Sequence, residues 1–153
     1  MIEIFKFDNE AKMPVRAHKL DAGLDLFANE TVFLPTGTTK NVSTGIGIHI
    51  PPGYTAKIED RSSLALSGLV IGAGIIDSGY NGEVKIVLHN FSNTENSQKI
   101  HQFNQSATTG KLIKKGDKIA QIVVYKIDTT DVMQTNILWD SERKDKGFGS
   151  SGK

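Results

Sequence analysis

The sequence predicts an all-β domain, a sandwich, jelly roll or barrel rather than an alternating βαβ architecture. Three observations carry that expectation. Short apolar or alternating runs recur at modest intervals, turn formers stand between them, and only one short stretch, Ser62 to Leu66, reads as a helix.

Taken in order, Met1 to Asp8 alternates charged and apolar residues. It lacks the basic start and unbroken apolar block of a secretory signal and reads as a first strand. Leu24 to Ala28, Thr31 to Leu34, Ile46 to Ile50, Tyr54 to Ile58, Val84 to Leu88 and Ile119 to Ile127 are the further strands. Pro35-Thr36-Gly37, Pro51-Pro52-Gly53, Ser78-Gly79, Asn81-Gly82 and Lys115-Gly116-Asp117 supply fixed or positive φ where the chain reverses. Along Gly82 to Asn90 the period of two puts Val84, Ile86 and Leu88 on one side and Lys85, Val87 and His89 on the other.

Two regions break this rhythm. Phe91 to Lys114 is rich in Asn, Gln, Ser and Thr and reads as a long polar surface insertion. Residues 141–153 are charged and then Gly/Ser-rich, which reads as a flexible C-terminal arm after a single β domain over 1–140.

The bulk numbers exclude several classes. With 153 residues one domain with an ordinary core is expected. Eighteen Lys and Arg against 17 Asp and Glu leave a net charge of +1, so neither direct nucleic-acid binding nor attachment to an anionic membrane has a broad electrostatic basis. No apolar run approaches the roughly 18 residues that span a bilayer, so a soluble, cytoplasmic protein is expected (in a host's cytoplasm if viral). The chain has no cysteine, which closes off disulfides, zinc thiolates and thiol nucleophiles.

The tail Gly147-Phe-Gly149-Ser-Ser-Gly152-Lys153 matches G-x-G-x-x-G and the start of a Walker A string. Both loops need a helix to follow them, and the sequence stops at Lys153. Bare glycine amides, the Ser150 and Ser151 hydroxyls and Arg143 remain as donors to phosphate oxygens. Elsewhere Asp77 reads equally as a turn residue, Asp60-Arg61-Ser62-Ser63 as a helix start, and Asp25 as a strand-end carboxylate.

Together these stretches look less accidental. Ala22-Gly-Leu-Asp25-Leu, Arg61-Ser-Ser-Leu-Ala65, Gly72-Ala-Gly-Ile-Ile-Asp77 through Tyr80 and Gly82-Glu-Val84, Lys115-Gly-Asp-Lys-Ile-Ala-Gln121, and Arg143 with Gly147-Phe-Gly-Ser-Ser-Gly152 stand in that order. They resemble the five motifs of the trimeric dUTP pyrophosphatase (dUTPase) family, over about Arg16 to Gly152. The polar insertion between the third and fourth motifs is similar to that of some phage members.

The resemblance implies a distorted jelly-roll-like β barrel, a homotrimer with active sites shared between chains, and Mg2+-assisted hydrolysis of dUTP to dUMP and pyrophosphate. That reaction limits uracil incorporation into DNA and supplies dUMP for dTTP synthesis. Asp77 would activate the water that attacks the α-phosphorus, and Tyr80 would lie against the deoxyribose and exclude UTP. Backbone groups near Gly74, Ile75 and Lys85 would pair with uracil. Arg61, Ser62, Ser63 and Gln121 would hold the phosphates, and Asp25 would reach the metal through water. Arg143, Phe148, Gly149 and Ser150 would close over the nucleotide as a lid. Trp139 is expected to anchor the start of that arm on the barrel. Leu24, Ser63 and Ser151 depart mildly from the family pattern and remove no proposed catalytic group.

Two other readings compete. The dCTP deaminases resemble this family in fold and share an Arg-Ser-Ser stretch, but place a catalytic glutamate where this chain has Val87. A nucleotide-sensing interaction protein on the same fold would use residues 91–114 for a regulatory partner, although Asp77, Tyr80 and Arg143 are all present.

Overall fold

The computed structural model describes residues 1–92, 98–101 and 107–140. Within them the chain forms β1 (Glu3–Lys6), β2 (Leu24–Phe27), β3 (Val32–Pro35), β4 (Thr39–Ser43), β5 (Ile46–His49) and β6 (Tyr54–Glu59). There follow α1 (Ser62–Leu66), β7 (Leu69–Ile71), β8 (Ile75–Ile76), β9 (Lys85–Asn90), β10 (Gln98–His101), β11 (Ala107–Ile113) and β12 (Lys118–Lys126). The all-β, jelly-roll-like expectation holds, and α1 occupies the residues predicted for the helix.

Every strand pairing is antiparallel. The sheets run β1-β5, β2-β12-β6-β8, β4-β9-β7 and β10-β11-β3. Alternation drives the layering: on β9, Ile86 and Leu88 are buried while Lys85 is exposed, as the period of two requires. Leu26, Leu34, Val42, Ile46, Ile86, Leu88, Ile119 and Ile122 join one core. Each such side chain contributes about 1.5–3 kcal/mol by leaving water. On β5 the run Ile46-Gly47-Ile48 is buried throughout. A β-carbon on Gly47 would stand 2.9 Å from the Phe7 ring and 3.3 Å from the Gly82 carbonyl, so the bare residue lets the 77–84 hairpin approach β5.

The segment expected to be a surface excursion contributes two strands. β11 pairs with β3 from Gly110 opposite Pro35 to Ile113 opposite Val32, and Ile113 enters the core. Low apolar content concealed this, because Thr-rich sequence suits a strand whose backbone finds a partner. Trp139 does not anchor on the barrel of its own chain: it is 76% exposed, beside exposed Val132, Met133, Ile137 and Leu138. No helix among the described residues is long and apolar enough to cross a membrane. The expected lid residues Arg143, Phe148, Gly149 and Ser150 lie outside the described residues.

Candidate active site

A hairpin between β8 and β9 builds the main cleft. Its first leg is fixed where Ile75 and Ile76 pair with Lys57 and Ala56 of β6, and the Thr55 hydroxyl donates to the Ile76 carbonyl at 2.9 Å. The Gly74 carbonyl accepts from the Ile58 amide at 2.8 Å, and a β-carbon on Gly74 would lie 2.8 Å from the Ile58 carbonyl. The chain then turns at Asp77, whose carbonyl accepts from the Tyr80 amide at 3.0 Å. It returns through Glu83 and Val84, where the Val84 amide donates to the Ile46 carbonyl at 2.8 Å.

The resulting cleft has a volume of about 530 Å³ and is lined by Asn41, Ile58, Ala73 to Asp77, Tyr80, Glu83 to Lys85 and Val87. That volume suits a nucleotide-sized ligand. Five residues singled out in the sequence, Gly74, Ile75, Asp77, Tyr80 and Lys85, share this cleft. Asp77 is exposed at the turn, and among the described residues its carboxylate has no hydrogen-bond partner. The Tyr80 ring is nearly half exposed, and its hydroxyl donates to the Glu83 carbonyl at 2.8 Å.

Glu83 and Asn41 also line the cleft, although sequence reasoning assigned them no role. Burial pushes the Glu83 carboxyl up, but hydrogen bonds from the Ser43 hydroxyl and the Gly45 amide, with the Lys85 ammonium nearby, hold it below its usual value. The Glu83–Lys85 pair is loose at 3.7 Å. A signal was present in the sequence, since Glu83 and Lys85 are one strand-period apart.

A second cluster gathers Asp25, Arg61 and Gln121, with Ser62 and Ser63 exposed at the start of α1. Pairing of β2 with β12 puts Asp25 opposite Gln121. Arg61 Nε donates to Asp25 Oδ1 at 3.1 Å and its Nη1 to the Lys118 carbonyl at 3.1 Å, while Lys118 Nζ stands 2.6 Å from Asp25 Oδ2. Gln121 Nε2 donates to the Asp60 carbonyl at 2.8 Å, and its side chain covers Gly23, where a β-carbon would collide with it. None of these residues lines the cleft around Asp77. One chain therefore carries the predicted site in two parts.

Among the described residues, no three His, Asp or Glu side chains come together as a metal cage. Each Asp25 oxygen meets one cationic side chain and keeps a further lone pair for water. With both oxygens already paired to cations, Asp25 leaves room for a contact to a hydrated Mg2+ through water only, and the set does not fit direct coordination by the protein.

The dUTPase family model matches residues 9–102 and 94–152. The chain belongs to the dUTPase family. A deoxyuridine 5'-triphosphate nucleotidohydrolase of Clostridium kluyveri is 38% identical over 150 residues, covering 96% of this chain and 94% of the relative. That of Candida albicans is 35% identical, covering 99% and 88%. Among solved structures, a mutant of the Staphylococcus bacteriophage 80alpha dUTPase with dUpNHpp superposes with a TM-score of 0.88 at 32% identity, covering 100% of this chain and 99% of that one. A mutant of the dUTPase from phage phi11 of S. aureus, which coordinates a structural Mg(II) ion, gives a TM-score of 0.78 at 30% identity over 90% of this chain and 97% of its own. As a dUTP diphosphatase, the chain hydrolyses dUTP to dUMP and pyrophosphate.

Proposed function

We propose that Asp77 is the general base of this hydrolysis. Its exposed carboxylate, on a hairpin tied to β6 and β5, is free to take a proton from water as the bond to the α-phosphorus forms. Tyr80 on the same cleft sets its ring against the deoxyribose, where a 2′-hydroxyl would find no room. Backbone groups at Gly74, Ile75 and Lys85 meet the uracil edge. Hydrogen-bond complementarity rejects cytosine there, because an amino group in place of a carbonyl sets donor against donor.

Arg61, Ser62, Ser63 and Gln121 hold the phosphate chain and oppose its growing charge. Asp25 would hold Mg2+ through water, and the ion would supply further charge neutralisation when bound. Because the Arg61 cluster and the Asp77 cleft are separate in one chain, the complete site draws them from different copies of a homotrimer. The exposed apolar residues Val132, Met133, Ile137, Leu138 and Trp139 form the surface such an assembly would cover. Arg143, Phe148, Gly149 and Ser150 close over the nucleotide and exclude bulk water.

The observation that carries this reading is the meeting of Asp77 and Tyr80 in one cleft whose wall at position 87 is valine. A valine carries no proton to an amino group, which disfavours deamination of dCTP. The test is pyrophosphate release from dUTP beside dCTP, dTTP and UTP, with and without Mg2+, for the wild type and Asp77→Asn. The reading expects dUTP alone to be consumed and Asp77→Asn to lose about 10²–10⁴-fold in kcat while still binding dUTP. Equal turnover by the variant, or indiscriminate hydrolysis, would overturn it.

A regulatory role through residues 91–114 has separate support. The phage 80alpha dUTPase is described as controlling transfer of virulence genes, and the phi11 enzyme carries a species-specific insert. Replacing residues 93–106 by a short Gly/Ser linker, which leaves β11 on β3 and Ile113 in the core, followed by a pull-down with a thermal melt as fold control, checks this, and unchanged partners would count against it.

A further inference from the structure

Tyr80 reaches its place by a chain of bonds that begins outside the hairpin. Its hydroxyl donates to the Glu83 carbonyl at 2.8 Å, so the ring is only as well placed as the backbone at residue 83. That backbone is held by the Glu83 side chain. One carboxylate oxygen, Oε1, accepts from both the Ser43 hydroxyl and the Gly45 amide, the latter at 2.9 Å. Oε2 faces Lys85 Nζ.

The turn at the other end is itself rigid. Gly45 has φ +68°, and a β-carbon there would lie within 2.7–2.9 Å of Asn29 and Ala11, so only glycine fits without displacing a neighbour. The Gly45 carbonyl accepts from the Phe7 amide at 2.9 Å. The Asn29 side-chain amide donates to Asp8 at 2.7 Å, and the Ser43 amide donates to Glu30 at 2.8 Å. Thr44 completes the tie by donating to the Val84 carbonyl at 2.5 Å. Asp77, by contrast, has no side-chain partner among the described residues, so the middle of the hairpin relies on its legs.

We propose that Glu83 is a positioning residue for sugar selection: by clamping the hairpin to the Ser43–Gly45 turn, it fixes the carbonyl from which Tyr80 is held against the sugar. This deepens the reading of Tyr80 given above and rests on it. Both Glu83 carboxylate oxygens are engaged within the chain, by Ser43 and Gly45 on one side and Lys85 on the other. The carboxylate acts through backbone position, where displacement of about 1 Å is enough to spoil discrimination in a fitted site.

The experiment compares kcat and KM for dUTP and UTP in the wild type, Glu83→Ala, Glu83→Gln, Ser43→Ala and Tyr80→Ala. Tyr80→Ala is expected to narrow the dUTP-to-UTP ratio of kcat/KM. Glu83→Ala is expected to narrow it by about tenfold, a size set by the loss of one fitted contact. Glu83→Gln keeps an acceptor for the Gly45 amide and is expected to restore most of the ratio. Ser43→Ala, outside the cleft, is expected to shift it in the same direction by less.

An unchanged ratio in Glu83→Ala beside a narrowed ratio in Tyr80→Ala overturns the role of Glu83 alone. An unchanged ratio in Tyr80→Ala overturns the reading of Tyr80 and this proposal with it. Should Glu83→Ala fail to fold, Ser43→Ala decides by the same ratio.

Discussion

Gly82 lies so close to Tyr80 that a β-carbon on it would stand 2.5 Å from the phenolic oxygen and 2.7 Å from the carbon bearing it. The ring therefore occupies the space that any larger residue at 82 would claim. Gly82→Ala is expected to push the ring out of the cleft and lower kcat/KM for dUTP by about 10–100-fold, the scale of an ångström-level misplacement. Steady-state kinetics beside a thermal melt checks this. A melt that falls in step with activity would mean the hairpin itself had unfolded.

Asp25 is the shared counter-charge of Arg61 and Lys118. Its side chain is only 12% exposed, so Asp25→Ala leaves two cations facing each other with little water between them. Fully buried pairs lose about 3–5 kcal/mol when one partner is removed. Because Arg61 and Lys118 remain partly exposed, a loss of about 1–3 kcal/mol is expected in urea unfolding. Asp25→Asn, which keeps the shape and an acceptor, is expected to fall between.

Glu83 also makes stability depend on acid. Its folded-state carboxyl lies below the ordinary value of 4.5, so the unfolded chain takes up the proton first as pH falls. The contribution is complete above the unfolded value and disappears as pH drops through the folded one. Thermal melts of the wild type and Glu83→Gln at pH 7 are expected to show the variant less stable. The gap should shrink steadily below about pH 4.5. A gap that is constant with pH would show that the charge contributes nothing.

Gly110 packs its backbone against β3. A β-carbon there would stand 2.5 Å from the Leu34 carbonyl and 2.9 Å from Pro35 Cα, and neither is a side chain able to move aside. Gly110→Ala is expected to lift β11 and cost about 1–3 kcal/mol in urea unfolding, the range for overpacking. Gly110 does not line the Asp77 cleft, so kcat per folded molecule should stay near wild type.

These sites differ in how visible they were beforehand. The hairpin at Asp77 and the strand through Ile86 and Leu88 were legible because tight turns and alternation are local properties of the chain. The same holds for the turn at Lys115-Gly116-Asp117, where Gly116 has φ +92°. β4 went unseen because only Val42 of Thr39–Ser43 is buried, and it exists through pairing with β9. β11 was hidden in the same way by its dependence on β3.

Trp139 failed for a different reason. Hydrophobicity says that a surface wants covering and says nothing of which molecule supplies the cover. Beyond its spacing to Lys85, Glu83 is legible in the sequence only as part of a turn motif, since its partners Ser43 and Gly45 lie some forty residues away.

The division of one chain into an Asp77 cleft and a separate Arg61 cluster has a genetic consequence. If each working centre borrows the carboxylate from one copy and the guanidinium from the next, two lesions that silence pure preparations need not silence a blend. Dissociating Asp77→Asn and Arg61→Ala enzymes together and letting them reassociate is expected to rebuild some intact centres from their undamaged halves. Such complementation between alleles has no route in an enzyme whose centres each belong to a single polypeptide.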